Sequence, residues 1–211
     1  MRAIFLLALL PTGLAAHPHV FVDAEVEVVT EAGAVTGVQL RWAYDDLFSL
    51  MLTEDLSIDS DGDLVLTDEE LATLQANVAD WPPDYEGDLV VEAAGASVPL
   101  AAREDQAVAF EAGVVIERHH RPLAAPAAAA DTPVIVEVYD PYYYVAYTVT
   151  AATVTGDPSC TATIVRADME AARAEVDATW AGLDWAGAPP DAQLPPIGEA
   201  FTDRVEVRCA G

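Results

Sequence analysis

The chain has 211 residues and a formal net charge of −27 at pH 7, from 36 Asp+Glu against 9 Lys+Arg, and all nine cations are arginines. Hydrophobic residues make up 53% of the sequence, which excludes a disordered acidic polypeptide, since such chains lack the apolar residues that a core requires. The scarcity of cations also excludes nucleic acid as a partner, because phosphate binding needs basic patches.

Residues 1–16 have the features of a secretory signal peptide. Arg2 precedes the apolar stretch Ala3–Leu10, and a Pro-Gly break and small residues follow. Cleavage fits after either Ala15 or Ala16. Every later apolar run is broken by charge before it reaches the length needed to cross a bilayer. We therefore predict a soluble exported protein, periplasmic in a Gram-negative bacterium, in which residues 17–211 form a single domain.

Hydrophobic periodicity predicts two strands followed by a helical insert at about 45–80. His19–Val29 and Val35–Tyr44 alternate apolar and polar residues, which is the period of half-buried strands, and the turn between them indicates a hairpin. Two helices follow, Asp45–Leu56 and Thr67–Val78, the second opened by a threonine cap with acidic residues in its first turn. One side of the first helix carries the apolar residues Leu47, Leu50 and Met51.

The rest of the chain is predominantly strand. Strands are predicted at Leu89–Leu100, Gln106–Arg118, Pro133–Tyr139, Tyr142–Val154 and Thr161–Val165, with an Ala/Pro-rich loop before the third of these. A later helix is predicted at Arg166–Trp180 and a last strand at Asp203–Cys209. These elements predict an α+β fold, mostly antiparallel β-sheet with a helix–loop–helix insert and one later helix.

The loop between the two inserted helices has regularly spaced oxygen donors. They fall at loop positions one, three, five, seven, nine and twelve, which are Asp59, Asp61, Asp63, Val65, Thr67 and Glu70. An EF-hand loop surrounds Ca²⁺ with this spacing, using a backbone carbonyl at the seventh position and a bidentate Glu at the last. The sixth position, normally glycine because the chain turns sharply there, is Leu64. A shifted register places Gly62 at the sixth position but loses the first Asp and the closing Glu. We predict an EF-hand-like Ca²⁺ loop in the first register, the alternative being a solvated acidic turn.

Four histidines form a second candidate site, for a transition metal. His17 and His19 flank Pro18 beside the predicted cleavage site, where two imidazoles and a free amine suit Zn²⁺, Ni²⁺ or Cu²⁺. The alternative is a terminal His-x-His that merely enters the first strand. His119 and His120 are adjacent at a predicted strand-to-loop boundary, so their side chains point to opposite faces. Either both are simply exposed, or one of them joins His17 and His19 in a site of three or four imidazoles.

The chain has two cysteines and lacks the common enzyme motifs. Cys160 and Cys209 are an even pair in an exported chain and predict one disulfide that ties the C-terminal strand to the body. The sequence contains no nucleophile-elbow, phosphate-loop or zinc-protease motif. We therefore predict that the protein is not an enzyme.

Five segments taken together resemble one protein family. They are Ala16-His-Pro-His-Val-Phe-Val-Asp23, Leu40-Arg-Trp-Ala-Tyr-Asp-Asp-Leu-Phe48, the Asp-rich loop with Glu70-Leu71, Val138-Tyr-Asp-Pro-Tyr-Tyr-Tyr-Val-Ala146 and Val205-Glu-Val-Arg-Cys209. This is a domain-of-unknown-function family of exported bacterial proteins, often labelled as the periplasmic component of an ABC-type transport system and associated with NicO-type nickel/cobalt/zinc membrane transporters. The resemblance implies a periplasmic role in transition-metal binding or delivery, and it extends to His17, His19 and the acidic loop.

The leading hypothesis is a periplasmic accessory protein that binds Zn²⁺, or Ni²⁺ or Co²⁺, through the region of His17 and His19. It would exchange the metal with a NicO-type membrane transporter, and the Asp59–Glu70 loop would be a separate Ca²⁺ site that rigidifies the insert. The alternative is a Ca²⁺-stabilised periplasmic interaction module without a transition-metal role. A secreted metallohydrolase that uses the histidines ranks last.

Overall fold

The computed structural model describes residues 18–82, 85–182 and 195–210, so that the predicted signal peptide and His17 lie outside the described residues. The strands are β1 (Val20–Glu31), β2 (Ala34–Tyr44), β3 (Leu89–Ala93), β4 (Ala96–Ser97), β5 (Glu104–Glu111), β6 (Val114–Ala128), β7 (Val134–Val138), β8 (Val145–Thr155), β9 (Cys160–Val165) and β10 (Arg204–Cys209). The helices are α1 (Asp46–Leu56), α2 (Asp68–Ala79), α3 (Met169–Ala181) and a short 3₁₀ helix, Gly198–Phe201. Within these ranges, no helix combines the length and the apolar character needed to span a membrane.

The strands form two five-stranded sheets. Sheet A has the order β5-β6-β2-β1-β8, and sheet B has the order β4-β3-β7-β10-β9. All neighbouring strands run antiparallel except β1 and β8, which are parallel. The predicted α+β class, with mostly antiparallel sheet and helices at the predicted places, is confirmed.

The two sheets share one hydrophobic core. Every second residue of β1 is buried, which is the alternation expected of a half-buried strand. Sheet A contributes Val22, Ala24, Val26, Val28, Val38, Leu40 and Trp42, and sheet B contributes Leu89, Val91, Val134, Val136, Val138, Val205 and Val207. Full burial of one such valine or leucine contributes about 1.5–3 kcal/mol, so this core determines which face of each strand points inward.

Two predicted single strands are hairpins. The predicted strand Leu89–Leu100 turns at Ala94-Gly95, and the predicted strand Gln106–Arg118 turns at Ala112-Gly113. The alanines have φ of 51° and 53° and the glycines that follow have φ of 75° and 85°, the signature of tight two-residue turns. The prediction was wrong because Ala-Gly is a weaker turn signal than Asn-Gly or Asp-Gly.

The predicted Ala/Pro-rich loop belongs largely to β6. Ala127 and Ala128 pair with the start of β2, and Pro126 lies at an irregularity in the register, where its missing N–H breaks no ladder hydrogen bond. The extension moves His119 and His120 from the predicted strand end into the middle of a strand. The prediction of a boundary there is therefore wrong.

The inserted helices pack on the β5–β6 hairpin. A second hydrophobic cluster joins them to it, with the buried members Ile58, Leu74, Val108 and Val115. Leu74 of α2 is fully buried, and α2 begins at the predicted Thr67 cap. The hairpin therefore supports both helices and the loop between them.

Helix α1 turns a mixed side to the protein, on which the partly buried Phe48, Leu52 and Leu56 pack against the two hydrophobic clusters. Ser49 and Thr53 are buried, and Ser49 Oγ accepts a hydrogen bond from the backbone N–H of Val115 at 3.0 Å. The apolar side predicted from the spacing exists, but it is exposed and consists of Leu47, Leu50 and Met51.

The predicted disulfide between Cys160 and Cys209 is present. The two residues face each other directly in the antiparallel register of β9 and β10. The bond therefore ties the last strand to the body, and it fits a protein that is exported to an oxidising compartment.

Candidate metal centre

The acidic loop, residues 59–70, turns sharply in its first half. Leu64 has a φ of 61° and Gly62 a φ of 69°, and the left-handed conformation costs a leucine about 1–2 kcal/mol. Asp59 Oδ1 accepts a hydrogen bond from the backbone N–H of Leu64 at 3.2 Å. This bond holds the first carboxylate of the loop beside the turn at the sixth position.

Three carboxylates converge inside this turn. Asp59, Asp61 and Asp63 each place one oxygen within 4.8 Å of the other two. Ca²⁺ holds its oxygen ligands at about 2.3–2.6 Å, so two ligands of one ion lie at most about 5 Å apart. The three oxygens are therefore close enough to bind one ion. Within residues 18–82, 85–182 and 195–210, no other group of three or more His, Cys, Asp or Glu side chains meets the same criterion.

Thr67 and Glu70 close the loop. Thr67 Oγ1 accepts from the backbone N–H of Glu70 at 3.3 Å, and Glu70 Oε2 accepts from the backbone N–H of Thr67 at 2.9 Å, which is a capping box. Glu70 Oε1 accepts from the backbone N–H of Asp59 at 2.9 Å. The hydrogen bonds that the carboxylate accepts from the Thr67 backbone, from the Thr67 hydroxyl and from the Asp59 backbone lower the pKa of Glu70. Glu70 thus joins the two ends of the loop, and it would have to exchange these bonds to coordinate an ion with both oxygens.

The hairpin beneath the loop anchors it. A Cβ added at Gly113, in the β5–β6 turn, would lie 3.4 Å from the Leu64 side chain, so the leucine covers the space that this glycine leaves open. Ile58 is buried, and Leu66 packs beside it in the second hydrophobic cluster. Val65 is 66% exposed, and its backbone N–H donates to Asp63 Oδ1 at 2.8 Å. Apolar contacts therefore fix the loop while its oxygens stay accessible.

His119 lies in the protein interior. It is 2% exposed, and its ring packs edge-on against Trp42 and Trp81 at centroid distances of 4.7 and 5.0 Å. Nδ1 lies 3.4 Å from Glu117 Oε1, and neither ring nitrogen has a hydrogen-bond partner among the described residues. The interpretation of His119 as exposed is therefore wrong.

His120 points to the other face of sheet A, as strand geometry predicts. Its Nδ1 lies 3.8 Å from Glu104 Oε2, and a Cβ added at Gly37 would lie 2.5 Å from its Nε2. Glycine at this position leaves room for the imidazole. His119 and His120 cannot bind the same ion because the sheet separates them.

His19 lies far from the other two described histidines. It is exposed just before β1, and its ring is 4.8 Å from that of Tyr144. His119 pairs with Leu40, which pairs with Val26. Val26 is seven residues along β1 from His19, so His19 and His119 lie about 25 Å apart, from a rise of about 3.3 Å per residue and two strand spacings of about 4.8 Å. The predicted joining of His19 with His119 or His120 in one site is therefore a wrong interpretation, and His17 lies outside the described residues.

A buried charged cluster lies beside His119, and it was not predicted from the sequence. Glu117 is 1% exposed and accepts hydrogen bonds from Arg103 Nη1 at 3.3 Å, Gln106 Nε2 at 3.2 Å and Tyr44 Oη at 3.4 Å. Arg103 neutralises the buried carboxylate, so this cluster is an internal ion pair with no unmatched negative charge to attract a cation. The alternation along β6, which puts Glu117 and His119 on one face, is the signal that could have revealed it.

A second carboxylate, the partly buried Asp88, lies close to the same aromatic residues. Tyr147 Oη donates to Asp88 Oδ2 at 2.8 Å, and the Tyr147 ring packs against Trp42 at 5.4 Å. Burial raises the pKa of Asp88 to about 6, although the hydrogen bonds from Tyr147 and Tyr85 oppose the rise.

Comparison with known proteins identifies the family. The family described as "Protein of unknown function (DUF1007)" matches residues 2–209. No curated protein matches the chain. Because the match covers almost the whole chain, including the acidic loop and all four histidines, this protein belongs to the DUF1007 family of proteins of unknown function.

Proposed function

We propose that this protein is an exported cation-binding module whose acidic loop binds Ca²⁺ in an EF-hand-like manner. The observation that carries the proposal is the convergence of three aspartate oxygens within 4.8 Å of one another. The left-handed turn at Leu64 supports it, since this is the loop position at which an EF-hand needs such a conformation.

The loop has enough oxygen donors for a hard cation. Ca²⁺ takes about six to eight oxygen ligands. The candidates are one oxygen each from Asp59, Asp61 and Asp63, the Val65 carbonyl, Thr67 directly or through a water molecule, and both carboxylate oxygens of Glu70. Carboxylate and carbonyl oxygens favour Ca²⁺ over Zn²⁺, which prefers imidazole and thiolate.

Bound Ca²⁺ would act on the stability of the insert. Residues 45–80 contain eight Asp and three Glu and no Arg, Lys or His, so the carboxylates repel one another. A divalent cation in the loop relieves part of this repulsion and links the end of α1 to the start of α2. Exported sites of this type have dissociation constants of about 10⁻⁴–10⁻³ M, which suits a structural ion where Ca²⁺ is plentiful rather than a sensor.

Calorimetry and thermal unfolding of the purified protein test this function. Ca²⁺ at about a hundred times its dissociation constant is expected to stabilise the fold by about 3 kcal/mol. The variant Asp61→Ala with Asp63→Ala removes two of the candidate ligand oxygens and their charges, and is expected to weaken binding by at least about tenfold.

Asp131→Asn is the matched control, since it removes an exposed carboxylate outside the insert. It is expected to bind Ca²⁺ as the wild type does. A wild-type protein without binding heat or thermal shift in excess Ca²⁺ would overturn the proposal, as would equal affinity in the Asp61/Asp63 variant.

A second candidate function is the binding of Zn²⁺, Ni²⁺ or Co²⁺ for a NicO-type membrane transporter in the periplasm. The observation that favours it is the position of His19, exposed and beside the Tyr144 ring at the start of β1. This candidate site would consist of His17, His19 and the amine freed by signal-peptide cleavage, without His119 or His120.

Zinc calorimetry of the processed protein tests this second function. His17→Ala with His19→Ala is expected to lower zinc affinity sharply, because imidazoles are the preferred ligands. His120→Ala and the Asp61/Asp63 variant serve as controls and are expected to keep it. Equal zinc affinity after loss of His17 and His19 would contradict a transition-metal role at the N-terminus.

A further inference from the structure

Helix α1 exposes an apolar side to solvent. Leu47, Leu50 and Met51 are 64%, 52% and 54% exposed, and they share one side of the helix by their spacing. Phe21 is 55% exposed and lies beside the start of α1, because its backbone N–H donates to Asp45 Oδ2 at 2.8 Å and its carbonyl accepts from the Asp45 N–H at 2.9 Å. The four side chains present on the order of 400 Å² of apolar surface, the size of patch that is often functional.

The orientation of α1 is determined by its other side. Ser49 Oγ accepts from the buried N–H of Val115, and Leu52 and Leu56 pack against the second hydrophobic cluster. Rotating the helix to bury Leu47 and Leu50 would leave the N–H of Val115 without this acceptor, at about 1–3 kcal/mol. The apolar side is thus held outward by a specific hydrogen bond.

The charged residues of the insert around this apolar side are all acidic. Asp46, Glu54 and Asp55 are exposed on the same helix, and residues 45–80 contain no cationic side chain. Glu54 and Asp55 lie at the C-terminal end of α1, where the last turn holds no basic residue. Negative charge at this end opposes the helix dipole, so a cation placed here would be favourable.

We propose that the outward side of α1 docks a basic amphipathic segment of a partner protein. The apolar residues would contact the apolar side of the segment, and its cations would lie against Asp46, Glu54 and Asp55. A second copy of this chain would bring two acidic inserts together, and an anionic membrane would also be repelled. The patch is about half of the roughly 800 Å² that each partner contributes to a stable complex, so the interaction is weak and aided by charge.

A synthetic helical peptide of Leu and Lys residues is the probe, with leucine repeated at positions i, i+3, i+4 and i+7 so that the leucines form one side of the helix. Its binding is measured by fluorescence anisotropy, once in excess Ca²⁺ and once in EDTA, so that failure of docking is distinguishable from failure of Ca²⁺ binding. The triple variant Leu47→Gln, Leu50→Gln, Met51→Gln keeps every charge and is expected to lose at least about tenfold in affinity. The single variant Leu50→Gln tests the same surface with less change to the helix.

Met169→Gln is the matched control, because Met169 is 39% exposed on the unrelated helix α3. It is expected to bind the peptide like the wild type, and binding is expected to weaken with salt. Equal affinity in the triple variant, or equal binding of the corresponding Leu/Glu peptide, would overturn the proposal. Self-association of the wild-type protein that the triple variant loses would also overturn the proposal. So would wild-type binding to phosphatidylcholine or phosphatidylglycerol vesicles that the triple variant loses.

Discussion

Burial of the Asp88 carboxyl makes the stability of this protein depend on pH. The pKa rises from an ordinary 3.8 to about 6, a difference worth at most about 3 kcal/mol between the two protonation states. Because the folded state keeps this proton to a higher pH than the unfolded state, the contribution of Asp88 is complete below about pH 4 and is lost as the pH rises through about 6.

The substitution Asp88→Asn isolates this effect. Its amide oxygen can accept the hydrogen bond that Tyr147 Oη gives to the carboxylate at 2.8 Å, and asparagine tolerates the φ of 49° at this position. The variant never carries this partly buried charge. We therefore expect it to match the wild type at about pH 4 and to exceed its free energy of unfolding by up to about 3 kcal/mol at about pH 8.

Urea unfolding at several pH values, followed by tryptophan fluorescence, measures the difference. Asp131→Asn is the control for charge alone, since any lost carboxylate reduces repulsion in a chain of net charge −27. A difference between Asp88→Asn and the wild type that stays constant from about pH 4 to 8 would refute the reasoning, because a titrating group must change it.

Three further changes test other parts of the structure by urea unfolding. Ser49→Ala removes the acceptor of a buried backbone N–H in β6 and is expected to lower stability by about 1–3 kcal/mol; an unchanged value would mean that water replaces the hydroxyl. Cys160→Ser with Cys209→Ser removes the disulfide, whose cysteines have a sequence separation of 49, and is expected to lower the free energy of unfolding by up to about 4 kcal/mol. Equal stability of the wild type with and without a reductant would contradict the disulfide. Gly156→Ala, at a φ of 95°, drives a Cβ into the carbonyl oxygen of Thr30 and is expected to cost more than about 2 kcal/mol; a fully stable variant would contradict the close approach of the two backbones.

Much of the structure of the acidic loop could be predicted from the sequence because its interactions are local. Thr67 and Glu70 cap each other three residues apart, and the spacing of the aspartates puts their oxygens within 4.8 Å. A leucine at the sixth position, Leu64, is unfavourable for an EF-hand loop, yet it adopts the left-handed conformation with a φ of 61°. The Leu64 side chain contacts the β5–β6 turn, and this contact contributes to holding the leucine in place. The sequence pattern did not predict that turn, because Gln106–Arg118 was predicted as one strand.

The separation of the histidines could not be predicted from the sequence because it depends on how distant strands pair. The separation of His19 from His119 depends on the register of β1, β2 and β6, and no local pattern encodes register between strands. The orientation of α1 was equally hidden. Its spacing identifies the exposed apolar side, but the buried N–H of Val115, more than sixty residues away, and the packing of Phe48, Leu52 and Leu56 on the two clusters turn the other side inward.

The sequence by itself therefore determined what depends on neighbouring residues: the alternation of β1 and β2, the helix ends, the oxygen spacing of the acidic loop and, through its two cysteines, the disulfide. The tertiary structure alone decided the pairing of β1 with β8, the burial of His119 and the exposure of the leucines on α1. Caps and periods arise from contacts within a few residues, whereas strand pairing and helix orientation arise from groups that folding brings together from distant parts of the chain.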